Sequence, residues 1–291
     1  MSRALAPLAG ALLALAASAS AQAIPGKLYA QELVDRTLAR EHGLRAVLVH
    51  AAPAKGADVV VLASNVGRLG TAASDADRQA LHDPAPRITR RVDGHLVDVE
   101  LPMLDVGGET VGALELIWDD APATPDADFA SRAIALRDAL ARRILNGANL
   151  ADPYPMIASA MLATHAQKTV DEAMQRHADL RVLALRGRTG PQGELVLLGS
   201  SFGRHGKPAD GDDLKVLAST QPATGIYSNG HRFGVDLALH DARGTPIGTM
   251  NVGYAWQAGE DPAPLLAKAL ALRDELERGP LAAAPLDAFE P

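Results

Sequence analysis

Ser64-Asn65-Val66-Gly67-Arg68-Leu69-Gly70 and Ser200-Ser201-Phe202-Gly203-Arg204-His205-Gly206 carry Ser, Gly, Arg and Gly at one spacing, 136 positions apart. The same shift lays Ala73 and Asp77 on Ala209 and Asp213, Gly94-His95 on Gly230-His231, and Val99 and Leu101 on Val235 and Leu237. Further on it lays Asp105, Gly108 and Gly112 on Asp241, Gly244 and Gly248, and Leu136-Arg137-Asp138 and Leu140 on Leu272-Arg273-Asp274 and Leu276. One ungapped register from Leu28 to Arg278 predicts two tandem copies of one domain. The period far exceeds the roughly 20 to 50 residues of solenoid repeats, so each copy is expected to own a complete core. Shared positions report on folding as readily as on function.

The chain has 291 residues, 35 acidic against 28 basic, a formal charge of −7 and no cysteine. Charge is spread through both copies without a basic cluster, which argues against a nucleic-acid partner. Disulfides and lipidated cysteines are excluded. Arg3, the short Ala/Leu run Ala4 to Ala17 and the small-x-small site Ala21-Gln22-Ala23 predict a signal peptide over 1–23, cleaved after Ala23, and a periplasmic or secreted chain. An uncleaved anchor is the alternative. No later apolar stretch has the length of a membrane span, so no membrane insertion is expected after cleavage.

Each copy reads in one order. Tyr29 to His42 has apolar residues at helical spacing and Gly43 as C-cap. Ala46 to Val49 and Val59 to Leu62 form a hairpin, and Asp75 to His82 a short helix capped by Ser74. Leu96 to Leu104 and Thr110 to Trp118 form a second hairpin, and Phe129 to Leu145 a closing helix. Copy two repeats this with Thr164 to His177, Val182 to Leu185, Glu194 to Leu198, Asp212 to Ser219, Arg232 to Leu239, Pro246 to Tyr254 and Pro264 to Leu276. Asn146 to Pro155 reads as a linker.

That order, with the D-x-x-G-x-x-x-G turns Asp105 to Gly112 and Asp241 to Gly248, is similar to the PAS-like fold of extracytoplasmic Cache sensor domains. The resemblance implies an α+β fold of two tandem domains, 24–148 and 149–280, each an antiparallel sheet of about five strands flanked by helices; the Pro/Ala-rich end, 281–291, reads as a flexible tail. It implies a free-standing binding or sensing protein that reports to a separate membrane receptor or transporter. The aromatic and Arg-containing pocket motif of the amino-acid-binding members has no counterpart here. No cofactor is implied.

Several side chains are candidates for a ligand site. In the Ser-x-x-Gly-Arg-x-Gly turns, glycines permit close backbone approach, and the guanidinium offers a planar fork to an anion. Ser200 and Arg204, with Ser64 and Arg68 as twins, are therefore candidates, the alternative being an Arg that pairs with Asp77 or Asp213. His231 and its twin His95 follow glycines at a strand start and are candidate ligand donors, the alternative being a hairpin-edge histidine bonded to backbone; without another donor at metal spacing beside them, support for a metal is weak. Copy two also holds Tyr227, Phe233, Tyr254 and Trp256 in its sheet region, either lining a pocket or filling the core. Together these predict a small organic, anionic ligand held by copy two. Asp105 and Asp241 read as turn caps rather than general bases, and no hydrolase elbow, zincin helix or P-loop is present. A ligand-free protein–protein interaction module is the second reading, an enzyme the third.

Overall fold

The computed structural model describes residues 26–91, 95–120, 124–190 and 192–290; the expected signal peptide lies outside them. Copy one runs α1 (Tyr29–Arg40), β1 (Leu44–Ala51), β2 (Val60–Ser64), α2 (Asp75–Ala80), β3 (Arg87–Arg91), β4 (Leu96–Leu104), β5 (Thr110–Asp119), α3 (Asp126–Ala141) and the single turn α4 (Gly147–Leu150). Copy two runs α5 (His165–Arg176), β6 (Leu180–Arg188), β7 (Leu195–Ser200), α6 (Gly211–Ser219), β8 (Ala223–Tyr227), β9 (Arg232–His240), β10 (Pro246–Ala255), α7 (Ala263–Arg278) and the short α8 (Pro280–Ala283). The two antiparallel sheets have one topology, β2-β1-β5-β4-β3 and β7-β6-β10-β9-β8. The fold is α+β, two PAS-like domains with five strands each.

The edge strands β3 and β8 fall in stretches the sequence reading left unassigned. Arg87-Ile88-Thr89-Arg90-Arg91 and Ala223-Thr224-Gly225-Ile226-Tyr227 lack a buried alternating face, and the arginines of β3 discourage that edge from pairing with another chain. In each central strand, alternation sends one set of side chains to the long helices. Leu101, Leu114, Leu116 and Trp118 meet Leu33, Val34 and Phe129 in copy one, and Leu183, Val235, Leu237 and Val252 meet Val170, Leu272 and Leu276 in copy two. The other face of each sheet looks toward the short helix α2 or α6. That face is where the copies differ.

The glycine turns are built alike. Gln31 and Gln167 accept the amides of Ser64 and Ser200 at 3.0 and 2.8 Å, and the two serine hydroxyls accept the amides of Val66 and Phe202. Arg68 and Arg204 both have left-handed backbone, φ 66° and 64°. Asp105 and Asp241 cap their turns as expected, each taking two backbone amides on one oxygen.

Two sequence expectations are corrected. The linker belongs to the first core, since Leu150 and Tyr154 are buried there and Tyr154 and Tyr29 exchange backbone bonds with Lys27 and Asp152. The tail is anchored: Leu281 and Leu286 are buried in the second core. The Ala288 and Leu286 carbonyls accept the first amides of α5, at 2.7 and 3.0 Å, which are the donors that a helix start leaves unpaired. The Pro/Ala composition concealed those two leucines. Among the described residues no helix is long and apolar enough to cross a membrane.

Candidate ligand pocket

The turn between β4 and β5 crosses into copy two. Val106 joins Val182, Ala184, Leu197 and Phe202 in a small apolar cluster on the sheet face opposite the long helices. Gly107 makes the approach possible, because a Cβ there would lie 2.6 Å from that of Ser228. Beside this plug, the same face opens into a cavity of about 820 Å³ lined by both copies, Asp105 and Glu109 from the first, and Arg186, Asp213, Tyr227, Arg232, Asp236 and Asn251 among those from the second.

Substitution between the twins explains the opening in copy two and, among the described residues, the packed face in copy one. Copy one carries Ile117, Asp98 and Leu96 where copy two has Gly253, Gly234 and Arg232. Ile117 and Leu96 pack with Ala46, Leu48 and Val61, closing the face. In copy two the bare Gly253 and Gly234 let Arg232 and Tyr227 lie flat over the sheet: added Cβ atoms would stand 3.0 Å from Arg232 Nη1 and 2.6 Å from the Tyr227 ring. The guanidinium stacks on that ring with its carbon 4.7 Å from the centroid.

Arg232 is the unusual group. It is 7% exposed, its Nε is buried without a hydrogen-bond partner, and it forms no salt bridge among the described residues. Burial depresses its pKa from the guanidinium norm. Arg186, partly buried, meets Asp213 at 3.0 Å but out of hydrogen-bond line, leaving its Nε and Nη1 unsatisfied. Facing these cations, Asp236 accepts from the Asn251 amide, and burial raises the pKa values of Asp236 and Asp213. Asp210, at the mouth, is held low by the backbone amides it accepts from α6. The pocket thus offers two under-coordinated guanidinium groups and several carboxylates, an arrangement suited to a small polar molecule that carries an anionic group.

The candidates from sequence are dispersed by this geometry. Tyr227 and Arg204 line the cavity, but Arg204 is held by Asp152 of the linker at 2.6 Å. Asp213, its expected partner, is taken by Arg186. Ser200 is consumed in its turn. Phe233 and Tyr254 fill the helix-side core, and Trp256 stacks on Phe233 with centroids 5.5 Å apart; strand alternation puts these rings on the face away from this cavity. His231 is exposed, 3.6 Å from Glu109. In copy one, Ser64 caps its turn, Arg68 has no side-chain partner among the described residues, and His95 lies at the surface with φ 48°. Sequence reading missed Arg186, Arg232, Asp236 and Asn251. The signal was available in the twins, since a polar residue inside an apolar strand run opposite a larger or differently charged twin marks a face put to another use.

No known protein family matches the chain, nor does any curated protein. Among solved structures it is similar to a light-oxygen-voltage domain studied with a flavin analogue (13% identity, TM-score 0.23, 35% of this chain and 96% of that one). It is also similar to the Escherichia coli DhaR(N)–DhaL complex (12%, 0.29, 79% and 85%). A third similarity is to an extracellular ligand binding receptor from Desulfohalobium retbaense DSM5692 (10%, 0.23), with 78% of this chain matching 33% of the receptor's length. At such identities the likeness concerns the fold alone.

Proposed function

We propose that this protein binds and senses a small polar organic molecule bearing an anionic group, in copy two, after export to the periplasm, and reports to a separate receptor or transporter. The observation that carries this reading is Arg232, a buried guanidinium without a carboxylate partner that faces a cavity. Leaving such a group unpaired costs free energy, and an anion that accepts from it recovers that cost. Asp236 and Asn251 suit a donor at the other end of the ligand. Copy one, its own face filled, supplies the wall containing Asp105 and Glu109, so occupancy would bear on how the copies are held together.

The test begins with native mass spectrometry of protein purified from its own periplasm. A retained small molecule is expected; its identity then permits calorimetric titration. Loss of a charge-assisted bond costs about 1.5 to 3 kcal/mol, so Arg232→Gln should weaken binding roughly tenfold to a hundredfold, while Phe233→Leu on the other face should leave it unchanged. Equal affinities in both variants would remove the pocket from consideration.

The interaction-module reading is favoured by one observation. Val66 and Leu69 are exposed on the copy-one turn, whereas their twins Phe202 and His205 are buried in the junction between the copies. Crosslinking through a photoreactive residue at 69 should capture a partner protein if that turn docks one.

A further inference from the structure

His50 on β1, Asp77 on α2 and Glu115 on β5 form a buried cluster on the pocket-side face of copy one, 0 to 4% exposed. His50 Nε2 lies 3.1 Å from Glu115 and Nδ1 lies 3.4 Å from Asp77, the latter without a hydrogen-bond partner. One imidazole nitrogen and one oxygen of each carboxylate all stand within 4.8 Å of one another. Asp98 is next to them: it and Glu115 share the half-exposed Arg91, and Asp98 Oδ1 is likewise buried without a partner.

The twin positions show what is missing. Copy two has Arg186, Asp213 and Asn251 in these three places, a cation, a carboxylate and a neutral amide that balance in charge. Copy one replaces the fixed cation with an imidazole and the amide with a carboxylate, so with neutral His50 the same three places carry two negative charges. Buried charge without compensation is costly.

We propose that copy one is a metal-binding domain, with His50, Asp77 and Glu115 holding a divalent first-row transition ion such as Zn²⁺. One imidazole with carboxylates favours such ions over Ca²⁺ or Mg²⁺, which prefer all-oxygen shells. Metal bonds of about 2.0 to 2.2 Å put the donors of a tetrahedral site roughly 3.4 Å apart, so rotamer adjustments of about 1 Å close the cage. Asp77 is already oriented, because its Oδ2 accepts the Ser74 amide at 2.7 Å in the capping box of α2; metal binding thereby ties the short helix to the sheet.

The experiment is calorimetric titration of the chelator-treated full chain with ZnCl₂ at pH 7, with Co²⁺ absorption as a second reading. One ion per chain at a Kd below about 10 µM is expected, together with a rise in the melting temperature. Uptake should vanish in His50→Arg, which copies the twin, and in Glu115→Gln, and persist in His95→Gln. Because buried variants can misfold, the wild type is also read directly: Mn²⁺ should broaden the His50 ring resonances before those of other histidines. Absence of stoichiometric uptake, uptake undiminished in a folded His50→Arg, or broadening centred elsewhere would overturn the proposal. So would a His50 ring doubly protonated at pH 7 and indifferent to Zn²⁺, which would mean that the imidazolium alone balances the carboxylates.

Discussion

Gly253 is one of the positions at which the twins differ where the cavity opens. Copy one has Ile117 there, packed with Leu96, Ala46, Leu48 and Val61; copy two has glycine and a cavity floored by Arg232. Gly253→Ile should therefore push Arg232 off the sheet, fill the near end of the cavity and abolish retention of the ligand, while circular dichroism shows the fold kept, since the twin sheet carries that isoleucine in the same register. A variant that still co-purifies with its small molecule would place the ligand elsewhere. The two turn arginines form a second contrast at this scale. Arg204 and Asp152 are both largely shielded and 2.6 Å apart, whereas Arg68 has no comparable partner among the described residues. Arg204→Ala should cost about 1 to 3 kcal/mol and Arg68→Ala close to nothing, measured by thermal melts of both. The Ser-x-x-Gly-Arg-x-Gly motif was legible as a shared signal, but a motif kept in both copies marks what both folds need. The residues that distinguish the copies, Arg232 against Leu96 and Gly253 against Ile117, escaped because each alone looks like an ordinary interruption of a strand.

Among the elements, the central strands and long helices were readable because apolar period and capping residues agree within each. The edge strands β3 and β8 were not, because an exposed edge has no buried face to write into the sequence. The C-terminal segment misled for the opposite reason: its composition is that of a loose end, yet it closes a helix. It buries two leucines and supplies carbonyls to the first amides of α5. His165 is clamped between Glu290 at 2.7 Å and the Pro280 carbonyl at 2.8 Å. Full burial of a leucine is worth about 1.5 to 3 kcal/mol, so a chain ending at Gly279 should lose several kcal/mol and melt roughly 10 °C lower. Limited proteolysis should then cut first near α5. A truncated chain as stable as the full one would show that the tail follows the fold rather than holds it.

For the whole molecule, the junction between the copies has a titrating group at its centre. His205 comes from the copy-two turn, is buried against Tyr154 with ring centroids 6.3 Å apart, and its Nε2 meets Gln167 Oε1 at 2.7 Å. That oxygen only accepts, so Nε2 carries the proton and Nδ1, buried without a partner, does not. Protonating Nδ1 would create a charge inside the junction near Arg36. Burial first, and the Arg36 charge second, lower the His205 pKa to about 4 from 6.5. The unfolded chain therefore takes up this proton before the folded one, and the stability associated with neutral His205 is complete above pH 6.5 and lost as pH falls toward 4. Between pH 7 and 5 this amounts to about 2 kcal/mol, or a fall in melting temperature of roughly 5 °C. Asp98, its pKa raised by burial to about 6, titrates in this range with the opposite sign, so the contribution of His205 has to be read as a difference. His205→Leu supplies it, because leucine stands at the twin position 69 and cannot charge. Its melting temperature should fall less than that of the wild type on acidification, by that same roughly 5 °C; parallel curves for the two proteins would mean that the junction accommodates the charged ring.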